Sequence, residues 1–241
     1  MLVIDAGNSV VKFAMVARAG AKPRIMASVD TPKLTVARVR TICRQTRTRS
    51  AAATCVVPRV ATILYAGCPS VSLIGESSAL NFRTDVDRRT VGADRLANMA
   101  EAARRFGKNV LVADFGTAAT FDVLDGRGRF IGGAIAPGLR ILATALSKQT
   151  ALLPVIEATP PRTMIGKNTR DALRAGLCGG YAGLVEHLLE QLGAGGRRVV
   201  FTGGDAGAVA KLVAEKVVVD PLWTLGGIAV LGGLNTREAS K

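Results

Sequence analysis

The sequence predicts an α/β protein of two related domains around a central cleft, and two observations carry that prediction. One short phrase is written twice: Asp5-Ala6-Gly7-Asn8-Ser9 follows the apolar run Met1 to Ile4, and Asp114-Phe115-Gly116-Thr117 follows Val110-Leu111-Val112-Ala113. The order of elements around each phrase repeats as well, three strand-like runs and then a helical pattern. In both copies an acidic residue stands where a buried strand ends, a Gly follows, and a hydroxyl residue leads into a second extended run. Gly lets the backbone turn tightly and bring its N–H groups against a phosphate. The hydroxyl can donate to a phosphate oxygen, and the carboxylate can hold a cation that neutralises a triphosphate. Two such turns facing each other would make a nucleotide clamp.

Taken in order, strand-like runs at 1–5, 10–17 and 24–29 precede a helical pattern at 34–48, and short runs follow at 53–57 and 71–74. Val91-Gly92-Ala93-Asp94-Arg95 opens a helix from Leu96 to Phe106. The second half has strands near 109–114, 118–124 and 129–135, a helix near 138–149, a loop marked by Thr159-Pro160-Pro161, a long helix near 169–193, a strand at 198–202 and β/α alternation to the end. The crossing near Gly107-Lys108 divides the chain into domains 1–107 and 108–241.

Composition narrows the function classes. Hydrophobic residues make up 49% of the 241 and aromatic ones only 4%, so the core is aliphatic. Pro221 to Thr236, an uncharged stretch, is too short to span a bilayer, and Met1 leads straight into a strand rather than into a secretory leader; both observations predict a cytoplasmic protein. Cys43, Cys55, Cys68 and Cys178 lack metal or disulfide spacing, and the only histidine, His187, lies in a helical pattern where it reads as solvated or capping. The net charge of +14 is partly concentrated in Arg38, Arg40, Arg44, Arg47 and Arg49 on one helix. No helix-turn-helix or aromatic-interleaved motif accompanies it, so it reads as a solvated surface in a protein with anionic ligands rather than as a nucleic-acid interface.

The remaining motifs each have two readings. Asp94 can take a proton from an alcohol while Arg95 holds an anionic group, but an Asp at a helix start also satisfies free N–H groups, and alone the motif reads first as a cap. Gly132-Gly133-Ala134-Ile135-Ala136-Pro137-Gly138 is either a ligand approach or turn chemistry. Asn168 can cap the long helix, with Asp171 three residues on. Gly176, Gly179, Gly180 and Gly183 permit close packing within the chain or between subunits. Gly203-Gly204 after the strand 198–202 can let a purine lie flat against backbone.

The order of these pieces is specific. Asp-x-Gly-x-Ser, Gly-Ala-Asp-Arg, Asp-x-Gly-Thr-Ala, Gly-Gly-x-Ile-x-Pro-Gly, Gly-Lys-Asn-Thr and Thr-Gly-Gly follow one another along essentially the whole chain, which therefore resembles the type III pantothenate kinase family. The resemblance implies the acetate and sugar kinase, heat-shock-70 and actin superfamily, with two ribonuclease-H-like domains and ATP between them. It implies phosphorylation of the primary hydroxyl of pantothenate, the first step towards coenzyme A, by a homodimer that needs a divalent metal such as Mg²⁺ and a monovalent cation, K⁺ or NH₄⁺.

By matching motif, Asp5 to Lys12, with Gly7, Asn8 and Ser9, would be the first phosphate loop, Asp5 serving the divalent metal and Lys12 the phosphates. Asp94 would be the general base, and Gly92, Ala93, Asp94 and Arg95 would line the pantothenate site. Asp114 would hold the monovalent cation, Gly116 and Thr117 would contact ATP, Gly203 and Gly204 would pack on the purine, and Thr169 would reach pantothenate from the other subunit. A related polyphosphatase, another small-molecule kinase of the superfamily, or a non-catalytic nucleic-acid-binding relative are the alternatives. Two departures stand out. Ser9 occupies a place where the family commonly has Thr, which keeps the hydroxyl. Asp85 and Arg88 occupy places where it usually has Tyr and Pro, so Asp85 is expected to repel the substrate carboxylate unless Arg83, Arg88 or Arg89 pairs with it.

Overall fold

The computed structural model describes residues 1–48 and 50–238. In chain order its elements are β1 (Leu2–Ala6), β2 (Val10–Met15), β3 (Arg24–Asp30), α1 (Val36–Thr46), β4 (Ala51–Cys55), α2 (Pro58–Gly67), β5 (Val71–Leu73), β6 (Arg83–Thr84), α3 (Ala93–Phe106), β7 (Val110–Phe115), β8 (Ala118–Leu124), β9 (Arg129–Pro137), α4 (Leu139–Gln149), α5 (Thr169–Arg174), α6 (Gly180–Gln191), β10 (Arg198–Thr202), α7 (Ala206–Val209), β11 (Val218–Val219) and α8 (Trp223–Glu238). They form two compact units. Residues 1–108, 124–131 and 222 onward make the first, and 109–123 with 132–221 make the second. The units thus differ from the linear division 1–107 and 108–241, because the chain returns to the first unit twice after leaving it.

In the first unit the strand order is β3-β2-β1-β4-β5. The first three strands are antiparallel neighbours, and β1, β4 and β5 run parallel. Alternation along the strands sorts side chains between two faces. Leu2, Ile4, Val11 and Phe13 pack with Val39 and Ile42 of α1 and Val60 and Leu64 of α2. Val3, Ala14 and Ala52 pack with Leu96, Ala97 and Ala100 of α3 and Leu225 and Ile228 of α8. The second face explains the chain's last return: a Cβ at Gly227 would collide with the Ala97 carbonyl, so α8 meets α3 at a distance only glycine allows.

Helix α2 was not anticipated between the runs at 53–57 and 71–74. Pro58 begins it, where a missing N–H costs nothing, and Val60 and Leu64, four residues apart, give it a buried stripe. Helix α1 is capped by Thr35, whose Oγ1 accepts from the Arg38 N–H at 3.2 Å. It ends at Arg47 in the left-handed conformation, with φ 50°. Arg38, Arg40, Arg44 and Arg47 are exposed, and Arg49 lies outside the described residues.

The second sheet repeats the order as β9-β8-β7-β10-β11, with β7, β10 and β11 parallel, and carries β6 as a sixth strand paired with the start of β9. In the second unit Leu111, Phe115, Phe121, Val199 and Phe201 form the core with Leu139, Tyr181, Val185 and Leu189. The expected long helix is there, but its winding loosens to a π turn over Ala175–Gly179 between α5 and α6. His187 is exposed on α6. Among the described residues no helix is long and apolar enough to cross a membrane.

Candidate active site

The first turn is a hairpin end closed by the Gly7 N–H donating to the Val10 carbonyl at 3.2 Å. Its register sets Asp5 directly opposite Lys12, so the two side chains share a face of the sheet. On the other side of β1 the parallel register sets Asp5 opposite Thr54, whose Oγ1 donates to Asp5 Oδ1 at 3.1 Å. Thr31 clamps the turn: its Oγ1 donates to the Gly7 carbonyl at 2.7 Å and its N–H to the Ser9 carbonyl at 2.9 Å. Arg59 in turn donates to the Thr31 carbonyl at 3.1 Å. The tip residues Asn8 and Ser9 remain exposed.

The second turn has the same construction, with the Gly116 N–H donating to the Ala118 carbonyl at 3.0 Å. Here the parallel register sets Asp114 opposite Thr202. The duplication therefore reaches the chemistry: each unit places an Asp beside a Thr of the neighbouring parallel strand. Thr202 is fully buried, and its Oγ1 has no hydrogen-bond partner among the described residues. Gly203, at φ +91°, follows it, and a Cβ there would lie 2.5 Å from Asp114 Oδ1 and from the Phe115 carbonyl oxygen. Only glycine fits. Gly138 also has a backbone reason, since a Cβ would collide with the Gly116 and Thr117 carbonyls and its own N–H donates to Thr117 at 3.1 Å. Gly133 is a structural glycine, packed against the Phe121 carbonyl. Gly204 is exposed, and beside it Arg140 Nε donates to Asp205 Oδ1 at 2.8 Å.

Asp94 lies in the first turn of α3. Gly92 precedes the helix as its N-cap, and a side chain there would collide with the Asp94 carboxylate. Asp94 Oδ1 accepts from the Arg95 N–H at 2.8 Å, so the capping role expected of a helix-start Asp is fulfilled. Burial pushes the Asp94 carboxyl above the ordinary carboxylate range, against the opposing pull of the Arg95 N–H and guanidinium. The Arg95 guanidinium lies 5.8 Å from the Phe130 ring centre. In the second unit Asn168 caps α5, accepting from the Asp171 N–H at 3.0 Å, and Thr169 stands exposed at the first helical position.

None of Arg83, Arg88 and Arg89 pairs with Asp85 among the described residues, and the last two are engaged elsewhere. Arg89 Nε pairs with Asp87 at 3.0 Å, and Arg88 donates to the Gly75 carbonyl at 3.4 Å and to that of Ser78. Arg129 pairs with Asp85 instead, at 3.2 Å, because β6 pairs in parallel with the start of β9. Thr31, Thr54, Thr202 and Arg129 were missed in the sequence. Each is recognisable only once strand register is known.

Comparison with known proteins agrees with this construction. The family model of type III pantothenate kinase matches residues 1–191. The chain is 39% identical over 243 residues to the type III pantothenate kinase of Akkermansia muciniphila, covering 97% of this chain and 98% of that one. It is 31% identical to that of Methylacidiphilum infernorum, covering 100% and 91%. In fold it is similar to component A of the (R)-2-hydroxyglutaryl-CoA dehydratase of Acidaminococcus fermentans, with a TM-score of 0.57, 15% identity and coverage of 100% and 99%. Two sheets that share one five-strand order, each with an Asp–Gly–hydroxyl turn, and relatives that match nearly end to end lead to one conclusion: the chain belongs to the type III pantothenate kinase family.

Proposed function

We propose that this protein transfers the γ-phosphoryl group of ATP to the primary hydroxyl of pantothenate, giving 4'-phosphopantothenate, the first step towards coenzyme A, in the cytoplasm. The family membership supports the substrate, and the duplicated Asp–Gly–hydroxyl turn supports the nucleotide. Phosphoryl transfer asks the protein mainly for positioning and charge stabilisation. Asp94 accepts the hydroxyl proton; its raised proton affinity suits it to that task better than an ordinary carboxylate. Arg95 holds the substrate's anionic group. Lys12, with the exposed Asn8-Ser9 tip of the Gly7-Asn8-Ser9 turn, takes the phosphates, and Gly116 and Thr117 approach the ATP from the second turn. Gly203 and Gly204 offer bare backbone to the purine.

Asp5, beside Lys12, would hold the divalent metal, whose contribution is to offset triphosphate charge. No cluster of three acidic, His or Cys ligands occurs among the described residues. That fits Mg²⁺, which is commonly held by one or two carboxylates plus the phosphates themselves. Asp114 would hold K⁺ or NH₄⁺, and the unpartnered buried Oγ1 of Thr202 opposite it is an oxygen such a cation would satisfy.

A homodimer with a composite site follows from the family reading, and exposed apolar side chains in the segment between α4 and α5 support it: Leu152 is 90% exposed, Ile165 79% and Met164 63%. Thr169 of one subunit would then serve the other's substrate. Mixing Asp94→Asn protein with Thr169→Ala protein, each inactive alone, is expected to restore activity at one site per heterodimer once subunits exchange. Absence of rescue despite proven exchange would put both residues at one subunit's site.

A coupled ADP-release assay across pantothenate and several hydroxy acids tests the main reading. ADP formed with pantothenate supports it. ADP formed only with another acceptor means a different small-molecule kinase, phosphate released from polyphosphate means a phosphatase, and salt-sensitive retention on DNA without ADP release means a binding protein. For the same assay, Asp85→Tyr is expected to lower the apparent KM for pantothenate and leave that for ATP unchanged. Because Arg129 already offsets the Asp85 charge, the expected change is modest, about two- to fivefold, the scale of an exposed ion pair. A shift confined to ATP would place this loop at the nucleotide.

A further inference from the structure

The first unit contains a cavity of about 710 Å³ that is lined by none of Asp5, Lys12, Asp94 and Arg95, although Arg129 on its wall pairs with Asp85. Three arginines line it: Arg83 of β6, Arg127 in the turn between β8 and β9, and Arg129 at the start of β9. Arg129 is engaged by Asp85 at 3.2 Å and Asp125 at 3.3 Å. Arg83 and Arg127 are exposed, and among the described residues neither guanidinium has an acidic or hydrogen-bond partner. The floor is bare backbone. A Cβ at Gly107 would enter open space, and one at Gly128 would lie 2.8 Å from the Gly107 carbonyl oxygen, so the end of α3 and the turn meet without side chains between them. Phe82 forms an apolar wall, braced edge-on by Phe130.

Unpaired arginines converging on a space larger than one phosphate suit an extended anion, because guanidinium forks grip phosphate oxygens bidentately. We infer that this cavity binds a polyphosphate anion, either inorganic or the diphosphate of a nucleotide, at a site separate from the transfer centre. Asp94 lies in the first turn of α3 and Gly107 just past its last, so at 1.5 Å per residue about 20 Å of helix separates them. The two sites are the opposite ends of one rigid element.

The only tryptophan gives a local readout. Trp223 stacks on Phe106, the residue before Gly107, at 5.9 Å between ring centres, and Arg105 lies over its ring at 4.7 Å. Tryptophan emission and calorimetry would be followed while pyrophosphate or ADP is added to wild type, Lys12→Ala and the double variant Arg83→Ser/Arg127→Ser. Saturable binding with an emission change is expected in wild type and in Lys12→Ala alike. In the double variant the midpoint should rise about tenfold or more, the loss of roughly 1.4 kcal/mol, and added salt should weaken binding further. Pantothenate phosphorylation by the double variant should equal that of wild type. A response to pyrophosphate alone assigns the site to inorganic polyanions, and a response to both probes extends it to nucleotides. Binding lost in Lys12→Ala but kept in the double variant would assign the signal to the transfer centre and overturn the inference, as would no binding by either measurement. Neither of those results bears on the pantothenate reading, which the ADP-release assay decides.

Discussion

Asp94→Asn is expected to lower kcat by about 10²–10⁴, the usual cost of removing a general base, while nucleotide binding and the fold persist. Asn keeps an oxygen for the Arg95 N–H that Asp94 accepts at 2.8 Å, so the helix start loses no hydrogen bond. The stability effect should have the opposite sign to the effect on rate. Burial raises the folded-state proton affinity of Asp94 above its unfolded value, so its contribution to stability is fully present below the unfolded pKa and is lost as pH rises through the folded one. At neutral pH wild type therefore carries a buried carboxylate that Asn does not, and the variant's Tm should match or exceed that of wild type. In the active protein the acidic limb of kcat against pH should lie above the ordinary carboxylate range, because the base must be ionised, and the limb should vanish from the residual activity of the variant. A folded Asn variant with near-normal turnover would leave Asp94 only its helix-start role.

Asp114→Asn is the second large effect. The carboxylate lies at the penultimate position of β7 and is pressed against Gly203, with the hydroxyl oxygen of Thr202, unpartnered among the described residues, opposite. Turnover of wild type should rise with K⁺ or NH₄⁺ and respond poorly to Na⁺. Asn keeps the shape and removes the charge, so activity should fall about 10- to 100-fold, the scale of losing a charge-assisted contact, and the monovalent-ion dependence should go with it. Thermal shift gives a readout free of turnover: K⁺ should raise the Tm of wild type and leave that of the variant unchanged. Turnover of wild type indifferent to the monovalent ion would remove the cation from Asp114.

How far the chain could be read depended on the range of the interaction. The strand at 198–202, the Asn168 cap, the helix after Gly138 and both hairpin turns were visible because alternation, capping and turn chemistry act over a few residues. The repeated succession of three strands and a helix was visible for the same reason, twice over. Helix α2 was not, since ten residues opening on Pro58 carry too short a stripe to stand out from the runs around them. The π turn at Ala175–Gly179 was hidden inside a pattern that otherwise reads as regular helix.

For the site, Asp5, Lys12, Asp94, Asp114, Gly203 and Thr169 could be picked out from motif order, whereas what surrounds them could not. Thr54 reaches Asp5 across 49 residues of chain, and Arg129 reaches Asp85 across 44. The same holds for α8, which sequence order assigns to the second half and packing assigns to the first, because Gly227 can approach α3 where a side chain could not. The sequence by itself determined the two Asp–Gly–hydroxyl turns, their repetition and the family. Only the tertiary structure decided the Asp–Thr pairs, the partner of Asp85 and the unit that α8 completes, because strand register and helix docking are set by the summed packing of residues far apart in the chain.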